Sequence, residues 1–174
     1  MNRVTTPAEA LPGSEPTSDI LGLPFFSGDL MQASDLLCRV VERGLRCQAC
    51  VLATNNAVWA AEDARLMAIY REAFLCLADG VPLVWASRLL GRPIKGRSSG
   101  HEVFAELCKA AARRGWGCFF LGSASGAVQA AAGNLMARHP GLVVSGTYAP
   151  PFKARFTERE TQELDRLIEE VGYE

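Results

Sequence analysis

Short apolar runs alternate with stretches of helical periodicity along most of this chain. Leu21 to Phe26 is a first apolar stretch, interrupted by Gly22 and Pro24, and reads as a small strand or a packed loop. From about Gly28 to Gly44, Leu30, Leu37, Val40 and Val41 recur on one helical face, with Ser27 placed to cap the helix and Gly44 to end it. Cys47 to Ala53 is a continuous apolar-leaning run, the pattern of a buried strand. Asn55 to Ala73 reads as one helix that turns Trp59, Leu66, Ile69, Tyr70 and Ala73 inward. Phe74 to Ala78 is another apolar strand. Val81 to Leu90 is apolar nearly all round, with Pro82 in its first turn and Gly91 after its end, which predicts a buried helix.

The second half repeats the pattern. Ser99-Gly-His-Glu102 has the form of a capping box, and a helix from about Gly100 to Arg114 turns Val103, Phe104, Leu107, Cys108 and Ala111 inward. Gly117 to Leu121 reads as a strand, Gly122-Ser-Ala-Ser-Gly126 as a small-residue loop, and a helix follows to about Arg138. His139-Pro140-Gly141 breaks it; His139 suits the carbonyl end of the helix. Leu142 to Thr147 is a strand, Tyr-Ala-Pro-Pro-Phe an extended exit, and Thr157 to Val171 an amphipathic helix with Leu164, Leu167, Ile168 and Val171 inside. Alternation of this kind predicts an α/β fold, a Rossmann-like three-layer sandwich with a mostly parallel sheet and right-handed crossovers. The expected organisation is a tail over residues 1–20 and a single α/β domain over 21–174. The chain stops at Glu174, after a helix, where the alternation calls for another strand.

Composition narrows the functional classes. With 174 residues, 49% hydrophobic and 21% charged, the chain can bury a core of ordinary size. Lys plus Arg number 18 and Asp plus Glu 19, a net charge of −1, which gives no electrostatic case for nucleic acid. No apolar run approaches the roughly 18–20 residues that span a bilayer. Met1 to Ser18 lacks a basic segment followed by an apolar one, so it reads as a mobile tail on a cytoplasmic protein rather than a leader. Six cysteines fit that compartment, and most lie in apolar surroundings. Cys47-Gln-Ala-Cys50 has the spacing of half a zinc site or a redox pair, but no second pair exists and it precedes or enters a strand instead of opening a helix, which favours core cysteines.

Parallel sheets of this kind bind ligands beyond the carboxyl ends of their strands. Thr54 and Asn56, Asp79, and Gly122 each follow directly from a predicted strand, and so are expected to converge on one sheet edge. Asp79, in Ala-Asp-Gly-Val-Pro, suits first of all a turn or helix cap, and beside that a general base that takes a proton from an attacking hydroxyl. Arg97, ahead of a helix start, is either a solvated loop arginine or an anchor for a diphosphate beside helix amides, with Arg92 and Lys95 nearby. Thr54 and Asn56 either cap the following helix or orient a ligand. The Gly122 loop is neither the dinucleotide fingerprint nor a P-loop, and no acidic residue ends the Leu142 to Thr147 strand, which argues against an oxidoreductase. Neither His101 nor His139 has a Cys or Ser partner at a catalytic spacing. With no Asp-x-Asp, neither a metal nor a cofactor is indicated.

The order and spacing of these pieces resemble the WecG/TagA/CpsF family of bacterial glycosyltransferases. The matching text is Thr54-Asn55-Asn56, Ala78-Asp79-Gly80, Arg97-Ser98-Ser99-Gly100-His101-Glu102, Phe119-Phe120-Leu121-Gly122-Ser123, His139-Pro140-Gly141-Leu142, and Gly146 to Phe152. The resemblance implies an inverting transfer from a UDP-sugar, commonly N-acetylmannosamine or its uronic acid, to an undecaprenyl-diphosphate-linked acceptor. It places the protein as a peripheral enzyme at the inner face of the cell membrane, in wall teichoic acid, common antigen, capsule or exopolysaccharide synthesis. By that resemblance Asp79 is the catalytic base, Thr54 and Asn56 contact the sugar and Arg97 holds the diphosphate; Gly122, whose loop suits a tight strand-to-helix turn as well as a phosphate contact, is the further candidate for substrate binding. A homo-oligomer stays open. The chain departs from the family pattern at Ser98 and at Glu102, where the family usually has Asp. The family also continues past this point with a strand, a Pro-Lys-Gln-Glu-like segment and an arginine-rich part. The chain therefore reads as C-terminally truncated, and a non-catalytic nucleotide-sugar-binding remnant, or a scaffold of a polysaccharide assembly complex, is the alternative.

Overall fold

A computed structural model of the chain describes residues 16–122, 124, 126–151 and 156–171. Most of the expected tail, two residues of the Gly122 loop and the last part of the Pro-Pro-Phe exit lie outside the described residues. The chain divides into two compact units, Met1–Glu106 and Leu107–Glu174.

The first unit contains β1 (Thr17–Ile20), β2 (Leu23–Phe26), α1 (Leu30–Glu42), β3 (Ala49–Leu52), α2 (Thr54–Glu62), α3 (Ala64–Glu72), β4 (Leu75–Ala78) and α4 (Val81–Leu89). The boundary between the units falls inside α5 (Gly100–Arg114). Its four strands form one sheet in the order β1-β2-β4-β3. β1 and β2 are an antiparallel hairpin, whereas β2, β4 and β3 run parallel. The second unit contains β5 (Gly117–Leu121), α6 (Ala127–Arg138), β6 (Val143–Tyr148) and α7 (Glu158–Val171), and β5 pairs parallel with β6. Parallel strands joined by helices give the Rossmann-like α/β architecture that the alternation predicted. No helix among the described residues is long and apolar enough to cross a membrane.

The hairpin begins inside the segment expected to be tail. Along β1, Ser18 and Ile20 are buried while Thr17 and Asp19 face out, the two-residue alternation of a half-covered strand. Its turn places Leu21 at φ 55° and Gly22 at φ 80°, the positive dihedrals of a tight two-residue hairpin, which Gly22 adopts freely and Leu21 only at some cost. Asp19 Oδ1 accepts from the Gly22 N–H at 3.0 Å and supports the turn.

Asp29, not Ser27, caps α1: its Oδ1 accepts from the Gln32 N–H (2.9 Å) and Gln32 Oε1 accepts from the Asp29 N–H (3.1 Å). The helix expected over Asn55 to Ala73 is two helices. Asp63 breaks it with extended backbone and caps α3 by accepting from the N–H groups of Arg65 and Leu66. The break resets the helical phase, so Trp59 and Ile69, expected inside, are exposed, and Ala57 and Ala60 take the inner face. Phe104 is likewise exposed, with Val103, Cys108, Ala110 and Ala111 buried along α5. α4 departs most: Leu83, Val84 and Ser87 are buried, but Val81, Trp85 and Leu89 face outward.

One cluster holds the first unit together. Ile20, Leu23 and Phe25 of the hairpin meet Leu52, Cys76 and Ala78 of the parallel strands, beneath Ala57 and Ala60 of α2 and Leu83 of α4. Each large apolar side chain fully buried here contributes roughly 1.5–3 kcal/mol. In the second unit Cys108, Ala111 and Leu142 form a smaller cluster, flanked by partly buried Trp116, Phe120 and Val144.

Candidate active site

Every residue of β4 is buried, and the strand delivers Asp79 at the point where the chain emerges. The Asp79 N–H donates to Leu52 O (2.9 Å), so the residue continues the β3–β4 ladder by one step. Asp79 does not cap the helix that follows; Gly80 occupies that position, without a side-chain cap. The carboxylate instead reaches across 18 residues: Arg97 Nη1 donates to Oδ1 at 3.4 Å. The Gly100 N–H, at the start of α5, donates to Oδ2 at 3.3 Å.

The backbone explains how Arg97 arrives there. The Ser98 N–H donates to Ala78 O (2.9 Å), tying the Arg97 loop to the end of β4. Lys95 is anchored on the same loop, through its N–H to Ser27 O and its Nζ to Gln32 Oε1 (2.9 Å). Arg97 also lies between two carboxylates, with Nη2 3.7 Å from Glu102 Oε2. The Arg97 and Asp79 side chains are 44% and 31% exposed, so the pair adds no more than about 1 kcal/mol to stability. What it supplies is a charged constellation held open to solvent at a helix N-terminus, where backbone amides favour anions.

Glu102 is a member of this constellation that the sequence revealed only as a cap. The Ser99 N–H donates to Oε2 at 3.2 Å and the Ser99 hydroxyl donates to the same oxygen. Those two bonds, with the Arg97 charge adding to them, hold the Glu102 carboxyl below the usual range. The contact from Arg97 to Glu102 depends on how the loop enters α5, and no spacing rule would have found it. Ser99 Oγ also lies 3.1 Å from His101 Nδ1.

Thr54 and Asn56 take different places. Thr54 is the first residue of α2, and a Cβ built on Gly80 would fall 2.5 Å from its Oγ1. Thr54 thus adjoins the chain immediately after Asp79, and only glycine leaves room for it. Asn56 turns back to its own helix start, its Oδ1 accepting from the Ala53 N–H at 3.0 Å. Gly122 follows β5 in the second unit, at φ 128°, with its N–H donating to Tyr148 O (2.9 Å).

Residues 18–173 match the profile of the glycosyl transferase WecG/TagA/CpsF family. The chain belongs to that family. One curated relative is the N-acetylglucosaminyldiphosphoundecaprenol N-acetyl-beta-D-mannosaminyltransferase of Bacillus spizizenii (strain ATCC 23059 / NRRL B-14472 / W23), 28% identical over 87 residues. That match covers 50% of this chain and 34% of the relative, so the chain aligns with about a third of the longer enzyme. Within this WecG/TagA/CpsF chain, Cys47 and Cys50 are both free, and burial pushes both thiols up. A raised thiol opposes the thiolate that redox or metal chemistry would need. Among the described residues no three His, Cys, Asp or Glu side chains group as metal ligands.

Proposed function

We propose that this chain carries the base and diphosphate anchor of an inverting glycosyl transfer from a UDP-sugar to an undecaprenyl-diphosphate-linked acceptor. The observation that supports it is the Asp79–Arg97 pair at the carboxyl end of β4, joined by the first amide of α5. The acceptor hydroxyl oxygen forms the new bond to the anomeric carbon as the bond from that carbon to the diphosphate breaks. Its proton passes to Asp79, and UDP leaves with the negative charge facing Arg97 and the α5 amides. Arg97 exchanges Asp79 for the donor diphosphate, which frees the carboxylate as the donor arrives. Thr54 and Asn56 contact the sugar. The relative's name makes N-acetylmannosamine the sugar to try first, on N-acetylglucosaminyl-diphosphoundecaprenol.

The test is transfer of that sugar, with UDP binding measured separately. Asp79→Asn lowers turnover by about 10²–10⁴-fold and leaves UDP binding unchanged. Arg97→Ala weakens UDP binding by roughly ten- to a hundredfold, the value of a charge-assisted contact. Full turnover by Asp79→Asn would remove the base assignment. Binding of UDP-sugar by the native chain without turnover would make it a binding remnant.

A further inference from the structure

A surface helix ordinarily presents polar residues to solvent, and α4 does the reverse. Val81, Trp85 and Leu89, spaced four apart, share one outward stripe, and Leu90 follows at the helix end. Leu89 is 90% exposed, Trp85 60% and Leu90 58%. The opposite side, with Leu83, Val84 and Ser87, is buried, so α4 is apolar on both sides but covered on one. The charges on α4 and in the loop that follows it are of one sign. Between residues 80 and 101 the sequence has Arg88, Arg92, Lys95 and Arg97 and no Asp or Glu, in a chain whose net charge is −1. Arg88 borders the stripe three residues after Trp85, Arg92 follows Leu90, and both are exposed.

We propose that this face of α4 docks on an anionic lipid surface. Trp85, Leu89 and Leu90 enter the boundary between headgroups and acyl chains, and Arg88 and Arg92 lie among the anionic headgroups. Trp suits that boundary because its ring is apolar and its N–H polar. The stripe starts two residues after Asp79, so docking brings the carboxylate to the lipid surface. This deepens the transferase reading and takes its purpose from it, but vesicle binding is measured without any transfer, so either can fail alone.

The experiment is co-sedimentation of the full chain with phosphatidylcholine vesicles, with and without phosphatidylglycerol. Binding is expected to the anionic vesicles, weakening as salt is raised. Trp85→Ala combined with Leu89→Ala lowers the partition at least about tenfold, and Arg88→Gln and Arg92→Gln about fivefold each. Leu89→Gln alone repeats the test at the most exposed position without touching the buried side. The proposal is overturned if the native chain ignores anionic vesicles, or if the double variant binds them as the native chain does. It is equally overturned if sedimentation equilibrium shows a dimer that the double variant dissolves, which would make a second copy the occupant.

Discussion

β4 and β5 look alike as sequence, Leu-Cys-Leu-Ala against Gly-Cys-Phe-Phe-Leu, yet they sit in very different surroundings. β4 lies between β2 and β3 and is buried at every position. β5 pairs with β6 in a two-stranded sheet among the described residues, and none of its five residues is fully buried. Apolar character gets a segment into a strand; neighbours on both edges and cover on both faces decide how much of it leaves water. Two-stranded sheets are marginal on their own, whereas three or more strands with a covered face are not. Asp79 follows the strand with complete cover, and a rigid strand end holds the base proposed there better than a loop does.

The contrast can be broken most directly in the two cores. Phe25→Ala, at a fully buried ring, is expected to cost about 3–5 kcal/mol by denaturant unfolding. Phe120→Ala, on the partly buried β5, should cost less than half as much; equal losses would mean the two sheets are equally well packed. Next comes Gly80→Ala, whose new methyl meets Thr54 Oγ1. The expected cost is about 1–3 kcal/mol, together with a loss of the transfer proposed above, because the residue after Asp79 must move. If stability and activity are both unchanged, Thr54 does not sit against this turn.

Thiol reactivity sharpens the comparison at lower energy. Burial, with the neighbouring Cys50 adding to it, pushes Cys76 up to about 12, and burial pushes Cys108 up to about 11. Alkylation at mildly alkaline pH should therefore modify partly exposed Cys118 before Cys108 or Cys76, read by peptide mass spectrometry; early modification of Cys76 would show that β4 is less protected than β5. The smallest effect is at Glu102. Its folded carboxyl titrates below the unfolded one, so its contribution is present above the unfolded value and is lost as pH falls through the folded value. Glu102→Gln should reduce stability at neutral pH, with the difference from the native chain disappearing in acid; a constant difference across that range would remove Ser99 and Arg97 as its partners.

Much of this was legible in short windows. The apolar run ending at Ala78, the strand ending at Leu121 and the helix opening at Gly100 are set by local periodicity and turn chemistry, and they appear where those predict. Misses arose where a polar residue did something its type does not announce. Ser18 is fully buried, its hydroxyl donating to Arg92 O and 3.1 Å from Ser27 Oγ, so a strand was hidden in a polar segment. Asp63 looked like one more surface charge on a long helix, but it ends one helix and caps the next. At the site, Asp79 and Arg97 could each be singled out from a strand end and a helix start, while the Ser98-to-Ala78 bond that joins them could not.

By itself the sequence determined the alternation of strands and helices, the family and the position of Asp79 at a strand end. Those depend on backbone preferences and apolar spacing over a few residues, or on motifs read in order. Tertiary structure alone decided the β1-β2-β4-β3 pairing, the covered side of α4 and the closure of Asp79 onto Arg97 and Gly100. Each of those depends on which distant segments share one core, and that free energy belongs to the packed chain as a whole, not to any stretch of it.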